Sequence, residues 1–234
     1  TLTEAGEATF GAIKYTEADA GKTYTYTITE DGFGKGWTSS GDVTATVKVT
    51  DNGNGTLKTE VTYSPEDDTI TNTYEAEGEA VLEVTKAIAG AAWPAGKTIT
   101  MTLSGTGGTL PETKTVTLTS ASKATFGAIK YTEADAGKTY TYKISEGDGF
   151  GTGWTGSGDV TATVKVTDNG DGTLKTEITY SPEDDTITNT YVAEGTAVLQ
   201  ATKAIDGAAW PAGKKITFTL AGEGSTLPET KTAE

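Results

Sequence analysis

"VLEVTKAI", residues 81–88, alternates its side chains with a period of two, so it reads as a β-strand with one buried face. Leu82, Val84 and Ile88 fall on that face, and so does Lys86. An unpaired buried ammonium is too costly to keep, so the strand predicts that partners for Lys86 arrive from elsewhere in the chain. Two other alternating segments each carry one polar residue among apolar ones. "YTYKISE" (140–146) sets Glu146 on a face with Tyr140, Tyr142 and Ile144, and "ITNTY" (187–191) sets Asn189 between Ile187 and Tyr191 with its threonines outward. Lys86, Glu146 and Asn189 are therefore expected to meet in one core.

The composition narrows the chemistry. The chain has 234 residues and a formal net charge of −15, which makes nucleic acid and anionic membrane poor partners. It contains no cysteine, histidine or arginine. Disulfides, thiol chemistry, histidine acid–base catalysis and most zinc or copper sites are thereby excluded, and no cofactor or metal site is indicated. No apolar run approaches the ~18 residues of a membrane helix, and no signal peptide is visible in this stretch; a signal or anchor outside it stays open. Abundant threonine and glycine with little leucine suit β-structure with many turns.

A repeat organises the chain. "ATFGAIKYTEADAGKTYTY" occurs at 8–26 and 124–142, "GDVTATVKVTDNG" at 41–53 and 158–170, and "SPEDDTITNTY" at 64–74 and 181–191. Trp37 recurs as Trp154, an interval of 117 residues, and Lys86 recurs at the same interval as Lys203. One complete copy spans 79–191; residues 1–75 are a copy lacking its first strands, and 196–234 are a copy lacking its end. The partial copies carry the same polar residues: Glu30 and Asn72 in the first, Lys203 in the last.

Strands are expected near 80–88, 97–104, 114–119, 123–130, 138–146, 159–167, 173–180 and 186–191, with no convincing helix. Short strands with regular turn signals imply an all-β fold: tandem Ig-like β-sandwich repeats of 117 residues, elongated as a whole. "DNGDG" (168–172) reads as a hairpin turn rather than a calcium loop, because the oxygen-ligand spacing is incomplete. "TLPETK" (109–114 and 226–231) is similar to a sortase sorting signal, but lysine stands where that signal has glycine, and a plain loop is expected. "SPEDD" reads as a solvated acidic turn, and Trp37, Trp93, Trp154 and Trp210 as packing residues.

Two readings of the polar triplet stand side by side. One is a buried Lys–Glu ion pair with asparagine satisfying spare hydrogen bonds. The other is a reaction. A lysine desolvated among apolar groups has a depressed pKa and becomes a neutral amine nucleophile. The asparagine amide is an electrophile, and a carboxylic acid held between them polarises its carbonyl and shuttles protons as ammonia leaves. The product is a neutral Lys–Asn isopeptide bond formed once, without a cofactor.

The three segments resemble the pilin isopeptide-linkage domains of Gram-positive surface proteins, CnaB-like β-sandwiches of the major-pilin, FctA type. These carry a "VTK" first strand, a "YTYxIxE" middle strand and a closing "TNTY" strand, here Val84–Lys86, Tyr140–Glu146 and Thr188–Tyr191. The resemblance implies Lys86 as nucleophile, Asn189 as acceptor and Glu146 as catalytic acid. In the last copy "ATK" replaces "VTK" and Gln200 stands for Glu83, but the lysine is retained. The resemblance also implies an extracellular, bacterial cell-surface structural protein, a fibre or adhesin stalk, and not an enzyme acting on other molecules. The alternative is a ligand-binding adhesin recognising a host protein or glycan, of which near-identical copies show no dedicated site.

A bond from Lys86 to Asn189 would enclose 102 residues, and closing a loop of ~100 residues stabilises by about 4–5 kcal/mol in the chain-entropy model. The partial copies suggest head-to-tail partnership with copies of itself or with neighbouring repeats. Lys203 of one chain would meet Asn72 and Glu30 of another, completing the sandwich by strand complementation. The other possibility is that these residues are a window on a longer continuous repeat.

Overall fold

The computed structural model describes residues 1–222, 227–228 and 232–233. Thr1–Val192 forms one compact unit and Ala193–Glu234 a second. In the first unit the incomplete copy supplies β1 (Thr23–Ile28), β2 (Trp37–Ser39), β3 (Val43–Asp51), β4 (Leu57–Ser64) and β5 (Asn72–Tyr74). The complete copy supplies β6 (Glu77–Ala89), β7 (Ile99–Gly105), β8 (Thr115–Leu118), β9 (Lys123–Thr132) and β10 (Thr139–Glu146), followed by β11 (Trp154–Gly156), β12 (Val160–Asp168), β13 (Leu174–Ser181) and β14 (Thr186–Tyr191). Only two short 3-10 turns interrupt this unit, Glu17–Asp19 and Glu133–Asp135.

The complete copy is a two-sheet sandwich with orders β13-β12-β10-β7-β8 and β11-β14-β6-β9. Alternation sets its layers: Leu82 and Val84 of β6, Met101 of β7, Ile144 of β10 and the Val160, Ala162, Val164, Val166 series of β12 are all buried, while the threonines between them face outward. Burying side chains of this size contributes roughly 1.5–3 kcal/mol each. Two buried tyrosines satisfy each other: Tyr131 donates to Tyr142 at 2.8 Å, and Tyr142 donates to the Gly107 carbonyl at 2.8 Å.

The first and last strands of this sandwich, β6 and β14, are parallel neighbours, with Ile187 opposite Lys86; the other pairs of the two sheets are antiparallel. All eight expected strands form, with ends shifted by a few residues, and the three-residue β11 is an addition that periodicity did not reveal. "DNGDG" is the β12–β13 hairpin connection, where the Asp168 carboxylate accepts from Gly170 N at 2.8 Å and Asp171 accepts from the Thr173 hydroxyl at 2.6 Å. In the first "TLPETK", Pro111 is buried and Thr109 pairs with Lys130, so it is a packed loop; most of the second, 226–231, lies outside the described residues. Trp93 and Trp154 flank Phe150 with ring centroids 4.7 and 4.8 Å away, as packing residues do.

The incomplete copy forms a β1-β3-β4 sheet and a β2-β5 pair, the counterparts of β10-β12-β13 and β11-β14. Its residues 8–16 take no strand conformation. In the second unit β15 (Phe218–Thr219) pairs with β16 (Thr232–Ala233), and 196–205 lies outside any strand although its sequence matches β6.

Candidate functional site

The β6–β14 register puts the three polar residues together. Lys86 lies opposite Ile187, and in a parallel pair Asn189, two residues on, shares that inner face. Glu146, the last residue of β10, reaches in from the facing sheet. Lys86 and Asn189 are each 1% exposed, the only buried polar or charged residues among those described.

One carboxylate touches both partners. Lys86 Nζ lies 3.1 Å from Glu146 Oε2, and Asn189 Nδ2 donates to Glu146 Oε1 at 2.6 Å. Nζ directs its hydrogen bonds at two carbonyls, Ala87 O at 2.9 Å and Ile187 O at 3.1 Å. Oε2 therefore has the lysine at ion-pair distance without an aligned hydrogen bond, and the buried Asn189 Oδ1 has no donor at all. A buried carbonyl without a partner costs about 1–3 kcal/mol, so the arrangement is not a fully satisfied polar cluster. Burial pushes the Lys86 ammonium below its ordinary 10.5, and Glu146 pulls the other way. The geometry thus holds an amine, an amide carbonyl and a carboxyl group within reach of one another.

The glycine-rich segment "GDGFGTGWTGSGD" (147–159) forms the outer wall. An open cavity of about 490 Å³, lined by Glu146, Gly149, Trp154, Gly156, Ile187 and Asn189, leads onto the cluster. Gly156 pairs with Asn189 across β11–β14, and a Cβ there would stand 3.3 Å from Asn189 Oδ1. A Cβ on Gly149 would stand 3.5 Å from Glu146 Oε1 and 3.7 Å from Asn189 Nδ2. Neither glycine was singled out by sequence reasoning; the density of glycines around Trp154 is the signal that marks them.

The partial copies divide the same residues. Asn72 Nδ2 donates to Glu30 Oε2 at 2.9 Å, so the acid–amide pair is built in the incomplete copy without a lysine strand. Lys203 is exposed in the second unit. Among the described residues, no group of three or more Asp or Glu side chains is placed to hold a metal ion. Compared with known protein families, the chain matches the FctA family, described as the Spy0128-like isopeptide containing domain, over residues 1–75 and 82–192. No curated protein matches the chain.

Proposed function

Because this chain belongs to the FctA family of Spy0128-like isopeptide-containing domains, structural fibre domains that carry isopeptide bonds, we propose that Lys86 and Asn189 are its bonded pair and Glu146 the catalytic acid. The observation that carries this reading is the single carboxyl spanning both partners, at 3.1 Å from the amine and 2.6 Å from the leaving nitrogen. Lys86 passes a proton to Glu146 and its neutral Nζ attacks Asn189 Cγ. Glu146 returns that proton to Nδ2 and takes another from Nζ. The Cγ–Nδ2 bond breaks as ammonia leaves, an Nζ–Cγ amide that keeps one N–H remains, and the second lysine proton stays on Glu146. The buried charge pair is thereby replaced by neutral groups.

The reaction is self-directed and occurs once, so the chain acts as a structural repeat of an extracellular bacterial surface fibre. Force entering at β6 and leaving at β14 would pass through the bond rather than the 102 residues between its ends. The same chemistry extends to the partial copies: a Lys203-bearing strand from another copy completes the sandwich around Glu30 and Asn72 and bonds to Asn72, linking copies head to tail. Intact-mass measurement tests the core reading. The folded chain should weigh less than its sequence by one ammonia per bond, and Glu146→Ala should restore that mass in the complete copy. A mass equal to that of the sequence sinks the proposal. Boiling-resistant oligomers on a denaturing gel, absent in Lys203→Ala, are expected for the head-to-tail bond.

A further inference from the structure

The end of the incomplete copy already meets the Asp168–Leu174 turn of the complete copy within the first unit. Tyr74 donates to Asp168 Oδ1 at 2.8 Å, Gly172 N donates to the Tyr74 hydroxyl at 3.3 Å, and Glu77 N donates to Gly172 O at 3.2 Å. The backbones are nearly in contact. A Cβ on Gly36 would stand 2.6 Å from Gly172 N, and one on Gly78 would stand 2.6 Å from Leu174 O. Residues Glu77 and Gly78 run between Thr132 and Tyr131 of β9 on one side and Thr173 and Leu174 on the other. The junction is therefore a tyrosine seated on an aspartate–glycine turn, followed by a strand threaded into a slot.

Both halves of that junction recur elsewhere in the chain. The tail half recurs as Gly153, Tyr191, Glu194 and Gly195, and the head half as Tyr15, Thr16, Asp51, Gly55, Thr56 and Leu57. Each is preformed. Asp51 accepts from Gly53 N at 2.8 Å as Asp168 does from Gly170 N at 2.8 Å, and Gly55 and Gly172 share φ = +83°. Tyr191 lies against Trp154 with centroids 5.2 Å apart, as Tyr74 lies against Trp37 at 5.1 Å. An open cavity of about 660 Å³ is lined by Tyr15, Thr16, Asp51, Gly55, Thr56 and Leu57, the counterparts of the residues around Glu77 and Gly78. Leu57 is partly exposed where Leu174 is buried.

We propose that this head surface is a docking site for the tail of a second copy of the chain, Tyr191 seating on Asp51 and Gly55 and residues 194–195 entering the slot. The docking requires no covalent bond, and it would set the register in which Lys203 approaches Asn72. It is therefore tested in Lys203→Ala, where that bond cannot form, so its failure is distinguishable from failure of the cross-link.

Sedimentation and amide chemical shifts of the Lys203→Ala chain, from micromolar to millimolar concentration, are the readout. Reversible association is expected, with shifts concentrated at Gly53–Leu57. Tyr191→Phe keeps the ring but removes the hydroxyl, and a lost hydrogen bond to a carboxylate weakens association about tenfold or more. Gly195→Val, outside the complete sandwich, should abolish it by filling the slot. A parent that stays monomeric at millimolar concentration, or association unchanged in either variant, overturns the proposal.

Discussion

The segment "ATFGAIKYT" occurs twice and has two fates. At 124–132 it is strand β9, paired along β6, with Phe126 3% and Ile129 0% exposed. At 8–16 it forms no strand, and Phe10 is 68% and Ile13 52% exposed. Local chemistry is the same in both copies: the Thr-Glu-Ala-Asp 3-10 turn, the tyrosine pair at 2.8 Å and the acid–amide contact all form twice. What the incomplete copy lacks is β6, the strand that covers β9 and carries the lysine. These hydrogen bonds and turns thus form without the first strand, whereas burial of the far sheet requires it. Strand and lysine come as one element, so a lysine that reaches its site is already desolvated there.

The largest expected effect comes from removing the proposed nucleophile, Lys86. Pulled from its ends, the complete copy should resist extension between Lys86 and Asn189. Lys86→Ala should release those 102 residues, adding a step of roughly 350 Å at full extension. In urea the same variant should lose about 4–5 kcal/mol from the missing loop closure, with a further loss because Glu146 and Asn189 lose their partner. The incomplete copy should extend at low force in both proteins. Force spectroscopy in which Lys86→Ala and the parent give the same lengths breaks the comparison.

Supplying the missing strand should convert one copy into the other. A peptide of residues 77–89 added to a Lys86→Ala, Lys203→Ala chain should protect amides of 8–16 from exchange and remove one ammonia on bonding to Asn72. The peptide with alanine for its lysine should protect without loss of ammonia. Protection that never develops would show that 8–16 is not waiting for this strand.

These contrasts also mark what the sequence discloses. The repeat, the alternating strands and the inward Lys86, Glu146 and Asn189 are legible because period two assigns each side chain to a face. The parallel β6–β14 pairing is not, because neighbours so far apart in sequence leave no local pattern. Nor is β11, since three residues carry no periodicity, although Gly156 within it borders the amide. The exposure of Val198 and Leu199 in a segment that matches β6 is equally hidden, since alternation predicts a strand and is silent on whether a partner sheet is present. The tail-to-turn junction was hidden for the same reason: its tyrosine and glycines gain their role only from a close backbone approach between repeats.

A smaller effect should follow from exchanging one residue between the copies. Gly156 faces Asn189 in the complete copy, whereas its counterpart Ser39 faces Asn72. A Cβ at 156 would stand 3.3 Å from Asn189 Oδ1, the oxygen that would gather charge in the proposed attack. Crowding of about 1 kcal/mol there slows the step about fivefold. Gly156→Ser should therefore delay ammonia loss after refolding by that order, followed by mass spectrometry, while the final yield and the fold are kept. An unchanged or faster rate would assign the serine hydroxyl a role as donor to that oxygen, and Ser39→Gly would then slow the peptide-completed copy.

The smallest effect is a pH dependence that only the complete copy should show. In Asn189→Ala no bond forms, and Lys86 stays buried beside Glu146 with its pKa held below 10.5 by desolvation. A lysine with a depressed folded pKa binds fewer protons folded than unfolded between the two values. Stability therefore rises with pH through that window and levels off above 10.5, while below the folded pKa the destabilisation is fully present. Urea midpoints of Asn189→Ala should climb as pH approaches 10.5, and those of Lys86→Ala, Asn189→Ala should lose that slope. The incomplete copy, with no lysine against Glu30 and Asn72, adds nothing to it. Equal slopes in the single and double variants would mean that Lys86 is solvated before it reacts, and the coupling of strand insertion to nucleophile activation would fail with it.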